Sequence, residues 1–152
     1  HSRVASVYND IGEIYSVQGD DFKALDYFKK SLKIVLSVYG ENHSQVSSIY
    51  DHIGEIYFAQ KDYSKALYYF EESLKIRLSL FGENHPEVAL SYYSIGSLYI
   101  IQGDKSKALN YYEKSLKIRL SVYGENHPLT KEIMDLINVA NSKVLQSPET
   151  TK

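Results

Sequence analysis

Cysteine is absent from the 152 residues, and proline occurs only three times. Without cysteine there is no disulfide framework, no zinc–thiolate site and no thiol nucleophile. The absence is compatible with a reducing compartment, and a cytoplasmic location is the expectation. No apolar run approaches the ~20 residues that a membrane span needs, and there is no secretory h-region. An excess of one charge is missing too. Lys and Arg total 17 against 19 Asp and Glu, which gives no overall drive toward nucleic acid or an anionic membrane. What remains is 43% hydrophobic and 24% charged, a globular rather than a disordered balance. The length suits one domain of ordinary size. The chain begins at His1 rather than Met, so the native N-terminus is expected to lie upstream.

Repetition is the informative feature. His1, His43, His85 and His127 share one register with a spacing of 42 residues. Each interval divides into two helical patterns. In the third, Val88, Tyr92, Ile95 and Tyr99 recur at helical spacing. Gln102-Gly103-Asp104 interrupts them as a turn should. A second apolar stripe follows with Ala108, Leu109, Tyr112, Leu116 and Leu120. Neither helix can bury its apolar face alone, so neighbouring repeats must stack. The pattern predicts repeats at 1–42, 43–84 and 85–126, a capping helix over 127–146 and a polar tail at 147–152. The cap rests on a stripe of Ile133, Ile137, Ala140 and Val144. No comparable cap precedes the first repeat, so a homo-oligomer through that uncapped face is one expectation.

A glycine inside a helix costs ~1 kcal/mol against alanine, so Gly12, Gly54 and Gly96 in register need a packing reason. They let the second helix approach the first, and Ala24, Ala66 and Ala108 do the same from the other side. Most of the 15 tyrosines are expected to fill the core around that crossing. These residues resemble the tetratricopeptide pattern: Tyr8, Tyr50 and Tyr92, then Ile11-Gly12, Ile53-Gly54 and Ile95-Gly96, then Tyr15, Tyr57 and Tyr99. On the second helix Ala24, Ala66 and Ala108 precede Phe28, Phe70 and Tyr112. The 42-residue period and the HPEVA restart look like the kinesin-light-chain subtype. The resemblance implies an all-α, right-handed superhelical solenoid of helix-turn-helix repeats.

The recurring Gly-Glu-Asn-His segment invites a metal or catalytic reading, and geometry opposes both. Zinc ligands lie ~2.0–2.2 Å from the ion, whereas equivalent positions in stacked repeats are ~8–10 Å apart. No Gly-x-Ser-x-Gly elbow or phosphate loop is present. His52 follows Asp51 directly, so the two point about 100° apart on a helix. The segment reads as a connector. Gly40, Gly82 and Gly124 end one helix, Pro86 and Pro128 suit the first turn of the next, and Asn84 or His85 can cap it. No cofactor, metal or catalytic residue is expected.

The family resemblance also implies that the first helix of each repeat, helix A, lines a concave groove that holds a peptide. Carried over by position, the lining is Ser6, Asn9, Glu13 and Ser16, then Ser48, Asp51, Glu55 and Phe58, then Leu90, Tyr93, Ser97 and Ile100. Glu132 and Asp135 come from the partial fourth copy. The A helices at 4–17, 46–59 and 88–101 contain no Lys or Arg, the residues that would clamp carboxylates. A neutral or basic peptide, with an apolar anchor near Phe58 or Tyr93, is the expected partner. On the second helices, Lys29, Lys30, Lys33, Lys75, Arg77, Lys114, Lys117 and Arg119 are expected along the convex side. Nucleic-acid binding there is the weaker alternative, because no exposed aromatics interleave with the cations.

Overall fold

The computed structural model describes residues 1–145. The polar tail expected at 147–152, and the last residue of the expected capping segment, lie outside the described residues. Seven helices account for nearly all of the described residues: α1 (Ser2–Val17), α2 (Asp21–Tyr39), α3 (Ser44–Ala59), α4 (Tyr63–Phe81), α5 (Pro86–Ile101), α6 (Lys105–Tyr123) and α7 (Pro128–Leu145). None of them is long and apolar enough to cross a membrane.

The chain forms two compact units, His1–Gly82 and Glu83–Lys152. In the first, α1 pairs with α2 and α3 with α4, and α3 also meets α1 and α2. Its core is Ala5, Ala24, Phe28, Val35, Val46, Ile49, Ile53, Ile56 and Ile76. In the second, α5 pairs with α6 and α7 packs against α6, burying Thr130, Ile133 and Ala140. The helix pairs close on the glycines. A Cβ built on Gly12 would lie 2.7 Å from the Phe28 ring, on Gly54 2.7 Å from Phe70, and on Gly96 2.7 Å from Tyr112. Each glycine is the seat of one aromatic ring, and its missing side chain is what admits that ring.

The connector segment resolves into particular bonds. At the end of α2, Gly40 takes φ +78° and ψ −175°, a region essentially open to glycine alone. The cap of the following helix is the histidine, not the asparagine. His43 Nδ1 accepts from Gln45 N–H at 3.2 Å, His85 from Glu87 N–H at 3.1 Å and His127 from Leu129 N–H at 3.2 Å. His43 also stacks on Tyr39 at 4.2 Å, and His127 on Tyr123 at 4.3 Å. A ring that both caps and stacks explains how a mediocre cap residue serves here. Asn42 Nδ2 instead donates to Ser79 Oγ at 3.2 Å, and Asn84 to Ser121 at 3.3 Å. Both α1 and α3 start two residues before the apolar pattern, so α1 includes Arg3 in its first turn; His43 caps α3 with its side chain, whereas His1 holds the N-cap position of α1 without a side-chain bond.

Aspartates cap the other helices. Asp20, Asp62 and Asp104 accept from the backbone N–H of Lys23, Lys65 and Lys107 and pair with the same lysines' ammonium groups. Each of these lysines lies over a tyrosine ring, Tyr15, Tyr57 or Tyr99, at 5.0 to 5.3 Å. Asp62→Ala is expected to cost about 1 kcal/mol, and Asp62→Asn much less, because the amide oxygen keeps the cap. Urea unfolding of the two variants checks the difference.

Most tyrosines are not core. Only Tyr112 is fully buried. The others stand half-buried or exposed, and many stack in sets: Tyr8–Tyr27–Tyr15, Tyr50–Tyr69–Tyr57 and Tyr92–Tyr111–Tyr99. A tyrosine can pack the faces of its ring while its phenolic oxygen meets water or a polar partner.

Candidate interaction surface

In the first unit, α1 and α3 bring several of the expected groove residues together. Asn9 Nδ2 donates to Glu13 Oε1 at 2.6 Å, and Glu13 Oε1 lies 3.7 Å from His52 Nε2. The His52 ring stacks on Phe28 at 5.0 Å, so the ring seated on Gly12 also positions the imidazole. Burial pushes the Glu55 carboxyl above the usual glutamate range; His52 opposes this, while Asp51 and Glu13 add to it. Ser6 donates to Ser2 O at 3.3 Å and Ser48 to Ser44 O at 3.1 Å, which leaves each hydroxyl free to accept. Phe58 meets Tyr63 edge-on at 5.9 Å, and Ser16 is exposed.

Asp51 differs from the sequence expectation of a free groove acid. Arg77 Nη1 approaches its Oδ2 at 2.6 Å. Burial pushes the Asp51 carboxyl up, and Arg77 and Ser73 pull it back. The charge that α3 offers a ligand at this point is already matched from within.

In the second unit, Arg119 has the corresponding place. Its Nη1 donates to Leu129 O at 2.8 Å and reaches Glu132 Oε2 at 3.5 Å. The guanidinium lies 5.1 Å from the centre of the Tyr93 ring, and Tyr93 O–H donates to Glu132 Oε1 at 3.4 Å. Ser97 and Tyr112 share a hydrogen bond of 3.1 Å. Ile100 lines a cavity of about 290 Å³ with Tyr112, Leu136 and Val139. Leu90 and Asp135 are exposed.

Arg77 and Arg119 therefore do not belong to a convex basic row. They are 3% and 4% exposed and face helix A residues, because each continues the buried stripe of its helix: Ala66, Phe70, Ser73, Arg77 and Ala108, Tyr112, Ser115, Arg119. That stripe was readable at helical spacing; charge type concealed it. Among the described residues no group of three His, Cys, Asp or Glu could hold a metal ion.

Paired helices with a glycine at each crossing define an all-α helical-repeat protein. The tetratricopeptide-repeat family matches residues 3–79 and, overlapping them, 48–121. The chain belongs to the tetratricopeptide-repeat family. Its fold is similar to that of BtubC (BKLC) from P. vanneervenii, at 20% identity and a TM-score of 0.76 over 97% of this chain and 67% of that one. It is similar also to a putative kinesin light chain from Podospora anserina with nearly identical repeats, at 16% identity and a TM-score of 0.79, covering 96% and 71%. The first repeat domain of Spaghetti (RPAP3), solved with the HSP90 peptide SRMEEVD, aligns at 16% identity and a TM-score of 0.68, covering 96% and 99%. No curated protein matches the chain.

Proposed function

We propose that the chain is a non-catalytic protein-interaction module that holds a neutral or basic partner peptide on its helix A faces. The observation that carries this reading is the acidic surface of α1 and α3, where Glu13 and Glu55 stand near His52 and no Lys or Arg follows Arg3 on either helix. Support comes from the RPAP3 domain, which binds a peptide on the same fold. That peptide, SRMEEVD, is mostly acidic toward its end, and such a ligand needs cations that these two helices lack. With Asp51 held by Arg77, the charge selective for a basic ligand reduces to Glu13, Glu55 and the neighbouring Asp10.

The test is a fluorescence-polarisation screen of peptides graded in charge. Basic peptides should bind best, and Glu55→Lys should weaken them several-fold while leaving thermal unfolding nearly unchanged. Tighter binding of acidic peptides would overturn the reading. The raised Glu55 carboxyl sets the sign of the pH effect. Ionised Glu55 attracts a basic peptide, so affinity should fall on acidification, beginning above the usual glutamate range of ~4.3.

Self-assembly is the second reading, favoured by the apolar residues around the α1–α2 turn. Val17 is 90% and Phe22 85% exposed, with Ile14 also outward. Exposed apolar patches mark association surfaces. Light scattering that shows a monomer at all concentrations would remove this alternative.

A further inference from the structure

The first unit contains a cavity of about 150 Å³ whose wall includes Ser6, Asn9, Asp10, Val35, Gln45 and Ser48. The 42-residue register explains why it is there. Val35 corresponds to Arg77 and Arg119, Asn9 to Asp51 and Tyr93, Gln45 to Leu129, and Ser48 to Glu132. In the second unit Arg119 fills this place, lying over Tyr93, donating to Leu129 O and reaching Glu132. Arg77 makes the equivalent approach to Asp51. At Val35 the side chain ends short by about a guanidinium, and the space stays open.

The lining is chemically prepared for what is missing. Asn9 Oδ1 and Gln45 Oε1 are buried without a hydrogen-bond partner, a condition rare for polar atoms in folded proteins. Exposed Asp10 adds a carboxylate to the same wall. The volume equals several waters at ~30 Å³ each, and a cavity of about this size can take a guest as large as benzene. A guanidinium is smaller, planar and carries five donors in a fixed fork. An ammonium is a compact, strongly hydrated point charge that suits two separated acceptors less well.

We propose that this cavity receives an arginine side chain of the partner, completing in trans the contact that Arg77 and Arg119 make within the chain. The proposal deepens the peptide-binding reading and rests on it only in taking the arginine to come from a peptide. The occupant should enter with its guanidinium toward Asn9 and Gln45 and its charge facing Asp10.

The experiment is an NMR titration of the whole chain with Nα-acetyl-arginine amide, and with its lysine and citrulline counterparts. Saturable shifts at the Asn9, Val35 and Gln45 amides are expected with the arginine compound. The other two should bind about tenfold more weakly or worse, a difference of about 1.4 kcal/mol. Val35→Arg should fill the cavity from within, abolish those shifts and raise the thermal midpoint. Should that variant fail to fold, Ser48→Leu at the wall should weaken the arginine titration. Equal titration by all three compounds, shifts elsewhere only, or arginine binding that survives Val35→Arg would overturn the proposal. Basic peptides that bind α1 and α3 without perturbing Asn9 or Gln45 would overturn the cavity site and leave the groove. Arginine-compound shifts in a chain that binds no peptide of any charge would support the cavity and remove the groove.

Discussion

Arg77→Ala is expected to destabilise the protein by about 3–5 kcal/mol, the usual cost of removing one partner of a buried ion pair. Arg77 is 3% exposed and its guanidinium lies 2.6 Å from Asp51. Most of the loss comes from leaving the Asp51 carboxylate buried without its counter-charge. The penalty should therefore depend on pH. Burial already pushes the Asp51 carboxyl above its ordinary value, with Arg77 the leading opposing influence. Removing Arg77 raises it further in the folded state, while the unfolded value stays near ~3.9. A group raised on folding contributes stability that is full below the unfolded pKa and lost as pH climbs through the folded one. The variant should be weakest at neutral pH and recover toward pH ~4. Urea unfolding at both pH values measures this, and an equal penalty at each would refute the account. Replacing both residues, as Arg77→Met with Asp51→Leu, should cost less, because the Asp51 carboxylate is no longer there to be stranded.

Gly54→Val should cost about 3 kcal/mol through overpacking. The new Cβ would lie 2.7 and 2.8 Å from Phe70 Cε1 and Cδ1. Phe70 is itself only 5% exposed, so its ring has little room to turn. Gly54→Ala tests the same contact more narrowly. Alanine should gain ~1 kcal/mol as the better helix former, and a net loss shows that the steric cost exceeds that gain. A double-mutant cycle isolates the contact. Phe70→Ala alone should cost about 3–5 kcal/mol by opening a cavity. With Gly54→Val also present, the total should fall well short of the sum, because each change relieves the other. Simple additivity would show that ring and glycine are not coupled.

Much of the fold is legible in single residues. The spacing of Val88, Tyr92, Ile95 and Tyr99 marks a helix, and Gly103 marks its end. Gly54 inside an apolar pattern announces a close approach, since its helix cost demands a reason. What could not be read from residue type was orientation. Arg77 and Arg119 look like surface cations, yet helical spacing carries them on from Phe70 and Tyr112 into the buried stripe. The tyrosines look like core by hydrophobicity, yet most are only half-buried and stack in sets under lysines. His43 and Asn42 are both plausible caps; the ring of Tyr39 selects the histidine by giving it a stacking partner.

Local physics in the sequence by itself determined the helix pairs, their turns and the glycine crossings. Helix period, turn chemistry and the cost of glycine all act within a few residues. Only the tertiary structure decided which acids of the helix A face remain available, because that depends on side chains arriving from other helices. Asp51 and Glu132 are matched by arginines 26 residues later and 13 residues earlier in the chain. The open space beside Val35 exists for the same reason. Its counterparts Arg77 and Arg119 carry a guanidinium at this place, and only packing shows that no other side chain of the first unit reaches into it.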